Sequence, residues 1–511
     1  METSEEKQTH AGRGGLAVLA AKVFFIVVGF VQQPLLKAAI GLDGYGALSR
    51  VLSVSNVVNN VVVSGSTQGV SRLVAQAKND RIALRQALGV HLPLAIVLGL
   101  VLAVVAPFLA SFQHAPHIRL PLIVMAVVLI AYGCYAPLIG ALNGRGQFVR
   151  QASLDIMFAT LRTVLMVGCG VLLATRGAGP LGTTIGFAIA ACFIVPLALR
   201  WTGTGEAGVD SSLPSAKTYL VQWLTIASAQ LGINLLMQMD LFLLGRCLSL
   251  RAADLSLIDA SKRADEWVGT YKACQLFAFL PYQLLFSVTQ VLFPMLARAR
   301  ANTDGQEVKT LVVRGTRIGL ILVGLIVSIV ITLPGSLLNF AYGAVVADGG
   351  ESTLRVLALG MTAFALLGLA MTILTSLGRE GLASVLTWVS AVLVGLLVNF
   401  LTRNADFGRS QLLLSSMATS SVLLLVFVVA STAVWKTVGA FLPLLTFARV
   451  GATVALFAGA GFFLPRLPKL LVPFGAVAVV LAYIASLIVT RELTGADLAQ
   501  ARAVVQRRRA K

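Results

Sequence analysis

Apolar residues fill most of the chain in stretches of helical length, separated by short hydrophilic turns, from Leu16 to Val489. A helix rises about 1.5 Å per residue and a bilayer's hydrocarbon core is about 30 Å thick, so each stretch of roughly twenty apolar residues predicts one crossing. This ruler predicts about fourteen spans, at 16–40, 45–71, 86–111, 120–142, 151–174, 180–199, 218–245, 267–297, 318–340, 354–377, 381–402, 411–434, 440–464 and 469–490. Gly and Pro punctuate several of the breaks, as in GLDGYG at 41–46, NGRGQ at 143–147 and RGAGP at 176–180. The predicted class is an all-α polytopic membrane protein.

One stretch departs from the apolar pattern. Tyr45 to Ala77 is apolar enough to cross, yet Ser49, Ser53, Asn56, Asn60, Ser64, Thr67 and Ser71 recur every three or four residues, which puts them on one side of a helix. Such a stripe is costly against lipid, so it predicts a span facing a bundle interior or a water-filled cavity. The seventh span repeats the pattern with Gln230, Asn234 and Gln238, and the eighth adds Gln275, Tyr282, Gln283 and Gln290. Amides and hydroxyls offer both donors and acceptors, which suits sugar hydroxyls; the same groups also bond helix to helix, and both readings stay open.

Sliding the second span by 222 residues lays it on the eighth, with Thr67-Gln68 on Thr289-Gln290, Ala75 and Ala77 on Ala297 and Ala299, and Arg50 on Lys272. A shift of 234 matches Gly144-Arg145 with Gly378-Arg379. Equivalent spans are then six apart, so two like lobes enter the membrane in the same sense around a central cavity. The predicted organisation is a cytoplasmic segment (1–15), a first lobe (16–200), a linker (201–217), a second lobe (218–434), two added spans (435–490) and a basic tail (491–511).

Of 511 residues, 57% are hydrophobic and 12% charged, with a mean hydropathy of +0.88, leaving no room for a sizeable soluble domain. A net charge of +19 would suggest nucleic acid in a soluble protein. Here the bases sit mainly at span ends, so no nucleic-acid partner is expected. With the amino terminus inside, Lys and Arg outside the spans favour that face by roughly two to one, which predicts both termini in the cytoplasm. The acidic, polar residues 1–13 are no signal-peptide head, and the first span is expected to be retained. The tail's Arg cluster would be drawn to anionic lipid headgroups, or is a solvated stop. Five cysteines without CxxC spacing and four scattered histidines predict no metal site. GxxxxGK[ST] is absent and no nucleophile–base set stands out, so no catalytic residue and no cofactor is expected.

Charges within the spans are the remaining candidates. Arg162, mid-way along the fifth span, would cost at least a few kcal/mol facing lipid and is expected to face inward. Lys22, Arg50, Lys272 and Arg449 are the other cations; Asp155 and Asp240 are the acids and the candidates for ion coupling. A cationic interior attracts an anion. Lys22 has a second reading, snorkelling at the membrane edge. Asp240 lies six residues before Arg246 and Lys272 six after Glu266, so the two share a depth and form either an ion pair or a functional contact. Arg50 has only Asp43 nearby in sequence and is the expected cavity cation; Arg449 is expected at a lateral groove between the lobes and the added spans.

LLKAAIGLDGYGALSRV at 35–51, STQGVSRLVAQAKND at 66–80, and Asp240-Leu-Phe-Leu-Leu-Gly245 followed by Glu266-Trp-Val-Gly269-Thr-Tyr271 make the chain similar to the bacterial polysaccharide biosynthesis and lipid-linked oligosaccharide flippases of the multidrug/oligosaccharidyl-lipid/polysaccharide exporter superfamily. The resemblance implies two six-helix lobes working by alternating access in the bacterial inner membrane. The cargo it implies is a polyprenyl-diphosphate-linked glycan, turned from the cytoplasmic to the outer leaflet and driven by a Na⁺ or H⁺ gradient, with membrane lipids and other polysaccharide-assembly membrane proteins as neighbours. In that picture the cations meet the diphosphate or acidic sugars, and the amides and Thr67 meet the glycan. A peptidoglycan lipid II flippase and a multidrug or cation antiporter share the plan, and a membrane glycan polymerase or ligase is the enzymatic alternative.

Overall fold

The computed structural model describes residues 4–208, 210–301 and 305–493, with side chains described except at 4–23, 25, 287, 290, 291 and 301. Among these residues there are fifteen α-helices: α1 (Ser4–Gln76), α2 (Asp80–Phe112), α3 (Arg119–Gly144), α4 (Phe148–Ala174), α5 (Gly179–Thr202), α6 (Ala216–Asp254), α7 (Ala260–Ala278), α8 (Leu280–Ala301), α9 (Gly305–Thr332), α10 (Pro334–Tyr342), α11 (Ala344–Ser376), α12 (Glu380–Thr402), α13 (Arg409–Val438), α14 (Leu444–Phe463) and α15 (Val472–Val489). Twelve elements are long and apolar enough to cross a membrane.

The first of the twelve, Ile26–Gln76, is 51 residues long, about 75 Å of helix and enough for two crossings. It is not straight. Gly41 has φ 80° and ψ 172°, a left-handed conformation open to glycine but costly to a residue with a Cβ. Across it the Tyr45 hydroxyl donates to Gln33 Oε1 at 2.9 Å, although twelve residues of straight helix would separate the two by about 18 Å. The helix therefore folds back on itself at Gly41, and α1 is a hairpin whose second arm carries the polar stripe.

The expected single eighth span, 267–297, is divided in the structure between α7 and α8, with a turn at Phe279. Pro281 has no N–H to donate to the carbonyl four residues back, and its ring crowds that carbonyl. Pro334 likewise separates α9 from α10 inside the expected ninth span, taking the first helical position where a missing N–H costs nothing.

Contacts group the chain into two compact units. One runs to Lys272 and takes in Thr402–Gly408; the other holds Ala273–Leu401 and continues from Arg409. In the first, α1 is the hub, packed against α3, α4 and α6, while α2 and α5 pack on α3, and α4 on α5. The turn into α2 is capped by Asn79, whose Oδ1 accepts from the amides of Arg81 (3.0 Å) and Ile82 (3.3 Å). The α5–α6 connection is tied to that turn. Asp210 accepts from the amides of Asn79 and Ser212, both at 2.9 Å, and Gln86 donates to the Pro214 carbonyl at 2.7 Å. The Ser212 hydroxyl and these two amides hold the Asp210 carboxyl down at about 2, so its contribution is present at neutral pH and is lost only as pH falls through that value. Pepsin cleavage of this connection is expected to be slow at pH 4 and to accelerate toward pH 2 in the wild type, and to be fast at both in Asp210→Ala.

In the second unit, α11 packs against α8, α9, α10 and α13, and α9 receives α14 and α15. Ion pairs fasten α14 near both ends. Glu492, 3% exposed, accepts from Arg317 Nε (2.8 Å), Thr446 Oγ1 (2.8 Å) and Arg449 Nη1 (3.2 Å). Burial alone would raise its carboxyl, but these donors outweigh burial and leave it below the usual glutamate value. Near the other end, Arg355 donates to the Gly461 carbonyl at 2.8 Å, while Arg466 pairs with Asp348 and, at 2.9 Å, with Glu351.

Candidate functional site

The second arm of α1 and the facing side of α6 form a polar wall in the first unit. Asn60 Nδ2 donates to Asn234 Oδ1 at 2.7 Å, and Asn234 Nδ2 donates to the Gln230 carbonyl at 2.8 Å. The stripe divides into three parts. Ser49 and Ser53 are buried and bond back to the carbonyls of Tyr45 and Arg50. Asn56, Ser64 and Thr67 are half-buried and Asn60 is exposed, leaving an open middle. Ser71 reaches Asn143 Oδ1 of α3 at 2.9 Å. On α6, Gln230 and Gln238 are half-buried, and Gln238 Oε1 is enclosed with no hydrogen-bond partner among the described residues.

Sequence reasoning missed a second seam between these helices. Ser66 Oγ lies 3.0 Å from His91 Nδ1, and His91 Nε2 lies 2.8 Å from the Tyr219 hydroxyl. The imidazole also meets Tyr219 and Trp223 edge-on. Ser66 lies off the periodic stripe, and a lone His in an apolar helix gives no local sign of its partners.

The charged candidates fall into separate places. Arg50, fully buried, pairs through Nε with Asp265 Oδ1 of α7 at 2.6 Å, and its Nη1 faces the Oε1 of Gln113 at 3.3 Å. Its acidic neighbour is thus Asp265 rather than Asp43, and the guanidinium is neutralised in place. Asp265 Oδ2 is also 2.7 Å from His117 Nε2. The Asp240 carboxylate acts on Lys272 electrostatically, while its oxygens accept from the Tyr271 hydroxyl (2.8 Å) and the Leu241 amide (2.7 Å).

Arg162 is half-buried and directed into the first unit's helices. It donates to Gln32 Oε1 of α1 at 3.2 Å and its guanidinium carbon lies 5.6 Å from the Phe187 ring centre of α5. Asp155, two turns earlier on α4, accepts from the Tyr135 hydroxyl at 3.3 Å. In the second unit Gln283 is half-buried, with Oε1 enclosed and unbonded among the described residues. The side chains of Lys22 and Gln290 lie outside those described. Among the described residues there is no cluster of three or more metal-ligating side chains.

The second unit contains an almost wholly apolar cavity of about 670 Å³ between α9, α11, α13 and α14, lined by Val323, Leu366, Leu424, Phe447 and Val454 among others. Arg449 is engaged instead with Glu492 and the Arg491 carbonyl.

The sequence matches the model of one family, described as "Polysaccharide biosynthesis protein", over residues 11–300. The chain belongs to the polysaccharide biosynthesis protein family. Solved structures show where the fold of this family member lies. Lipid II flippase MurJ in an inward closed conformation superposes with a TM-score of 0.69 at 12% identity, covering 94% of this chain and 99% of that one. An inward-facing multidrug resistance MATE family transporter of the MOP superfamily superposes at 0.62 and 14% identity, covering 83% and 98%. A MOP superfamily transporter from Pyrococcus furiosus, described as having a binding pocket of reversed polarity, gives 0.56 at 13%, covering 86% and 100%. No curated protein sequence matches. This polysaccharide biosynthesis family member is a multi-pass membrane protein with the transporter fold shared by MurJ and the MATE proteins.

Proposed function

We propose that this protein is a flippase that carries a polyprenyl-diphosphate-linked oligosaccharide from the cytoplasmic to the outer leaflet by alternating access, for polysaccharide biosynthesis. The observation that carries the reading is the open amide and hydroxyl wall of Asn56, Asn60, Thr67 and Gln230, backed by the buried Asn234. Such groups are costly against lipid and match the mixed donors and acceptors of a glycan. The family supports the biosynthetic context, and the fold shared with MurJ and the MATE proteins supports a transport role.

In this reading the chain crosses fourteen times in two six-span lobes plus two added spans: the twelve candidate elements, with α1 counted twice and α7–α8 added. Both termini are cytoplasmic, in a bacterial inner membrane. Gln238 extends the glycan surface within the first unit, and Gln283, Gln290 and Lys22 stay candidates for the same cargo. Arg162 is the diphosphate contact. Asp155 and Asp240 are the candidates for Na⁺ or H⁺ coupling. The apolar cavity beside α14, flanked by Arg449, receives a prenyl tail, which gains roughly 0.8 kcal/mol for each methylene it brings out of water.

Lipid II is the second cargo, favoured by the extent of the MurJ superposition. The inward-directed guanidinium of Arg162 weighs against an organic-cation antiporter. Native mass spectrometry of the purified protein with a neutral lipid-linked oligosaccharide, lipid II and an organic cation separates the three. Selective retention of the oligosaccharide is expected, while retention of the organic cation alone would defeat the reading.

A further inference from the structure

Arg50, His117 and Asp265 meet where the second arm of α1, the Pro116–Ile118 turn and the start of α7 come together. In the topology proposed above, which this inference assumes, that is the outer end of the first unit: the chain reaches it after the first span, after α2 and after α6. From this geometry we propose that Asp265 is an outer-face latch, holding α7 against α1, and that protonation of His117 tightens it.

The two carboxylate oxygens are divided between a permanent cation and a switchable one. Oδ1 faces Arg50, which has no solvent exposure and keeps its charge at any physiological pH. Oδ2 faces His117, whose side chain is 37% exposed, so protons can reach it from the aqueous side. Histidine is the side chain that ordinarily changes charge between about pH 5 and 8, and a charge-assisted hydrogen bond is roughly twice as strong as a neutral one. The latch is therefore firmest in acid and loosens as the outer pH rises.

Backbone fit makes contact close. A Cβ on Gly46 would collide with the Asp265 carbonyl oxygen, so α1 and α7 meet here with nothing between them. Other ionisable groups lie near the turn, among them Asp43 of α1 and Arg263 of α7, which act electrostatically on Glu266. From α6, Arg246 sits over the Phe112 ring at 4.3 Å and donates to the Phe112 carbonyl at 3.1 Å. The end of α2 contributes neutral Gln113, which faces Arg50, and then His114; α3 begins with Arg119; and Glu266 follows Asp265 on α7. Of these side chains, only Asp265 is bonded to the His117 imidazole.

Ser53 is the reporter, because it lies seven residues after Gly46 and three after Arg50 on the same helical face and is buried. In S53C protein, a membrane-impermeant maleimide is added to right-side-out vesicles and modification of the residue-53 peptide is read by mass spectrometry. Comparing S53C with and without His117→Gln at one pH cancels the pH dependence of the thiol. The variant is expected to label about tenfold faster than its parent at pH 5, and at nearly the same rate at pH 8.5. Asp265→Asn, where it folds, is expected to label fast at both. An equal ratio at both pH values would overturn the switch, and labelling only from the cytoplasmic face would overturn its placement. The readout needs no cargo, so it can fail while the flippase reading stands, and the reverse.

Discussion

Asp265→Ala is expected to be the most destabilising single substitution in the first unit, costing about 3–5 kcal/mol. The reason is what it leaves behind. Arg50 has no solvent exposure, and with the carboxylate gone its guanidinium would remain buried with only the Gln113 oxygens, at 3.3 and 3.5 Å. A neutral carbonyl offsets little of a buried charge. Removing both partners in Arg50→Met/Asp265→Leu deletes the charge as well as its counter-ion, so the double variant is expected to unfold at a higher temperature than Asp265→Ala alone. Thermal unfolding of the detergent-solubilised protein checks the order. A double variant no more stable than Asp265→Ala would mean that the pair contributes through something other than charge burial. Arg50→Glu, by the same reasoning, places two carboxylates together and is expected to lose folded protein before any transport is measured.

Arg162→Ala is expected to slow transport roughly 10- to 150-fold while leaving folded protein in the membrane. Its intramolecular contacts include a hydrogen bond to Gln32, a ring contact with Phe187 at 5.6 Å and an electrostatic contact with Tyr132, each worth about 0.5–1.5 kcal/mol. A charged hydrogen bond to a diphosphate is worth about 1.5–3 kcal/mol, or roughly a 10- to 150-fold loss when removed. Arg162→Lys keeps the charge but not the planar fork, so partial recovery is expected. Flipping rates per folded molecule, set beside thermal stability, distinguish the outcomes. Loss of folded protein in Arg162→Ala would make the residue a structural charge holding α4 to α1 and α5.

Hydropathy is a local property, which is why the membrane class and most span limits could be read directly from the chain. The reversal at Gly41 was legible for the same reason, since only a glycine-rich turn accommodates it. The break at Phe279 was not. Pro281 follows it, but Pro34, Pro93, Pro107, Pro137, Pro196 and Pro294 all lie inside helices here, so a proline alone does not tell a kink from a break. Asp240 and Lys272 are assigned one depth from the sequence because each is counted from the end of its own span. Arg50 could not be matched to Asp265, whose neighbours Lys262, Arg263 and Glu266 make it look like part of a solvated loop. Depth along a span is written in the sequence; the rotation that aims a side chain at one particular neighbour is set by packing. The polar stripe shows the same limit, since its period placed seven residues on one face, while only the middle of that face is open.

The central claim is movement of a lipid-linked glycan between leaflets without covalent change. Its most direct test is purified protein in liposomes holding a fluorescent lipid-linked oligosaccharide, with an impermeant quencher added outside. The expected result is protein-dependent quenching that proceeds beyond the outer-leaflet fraction, slowed by Arg162→Ala, with the recovered glycan unchanged in length. A label that stays in its leaflet, or a glycan recovered longer than it was supplied, would contradict it.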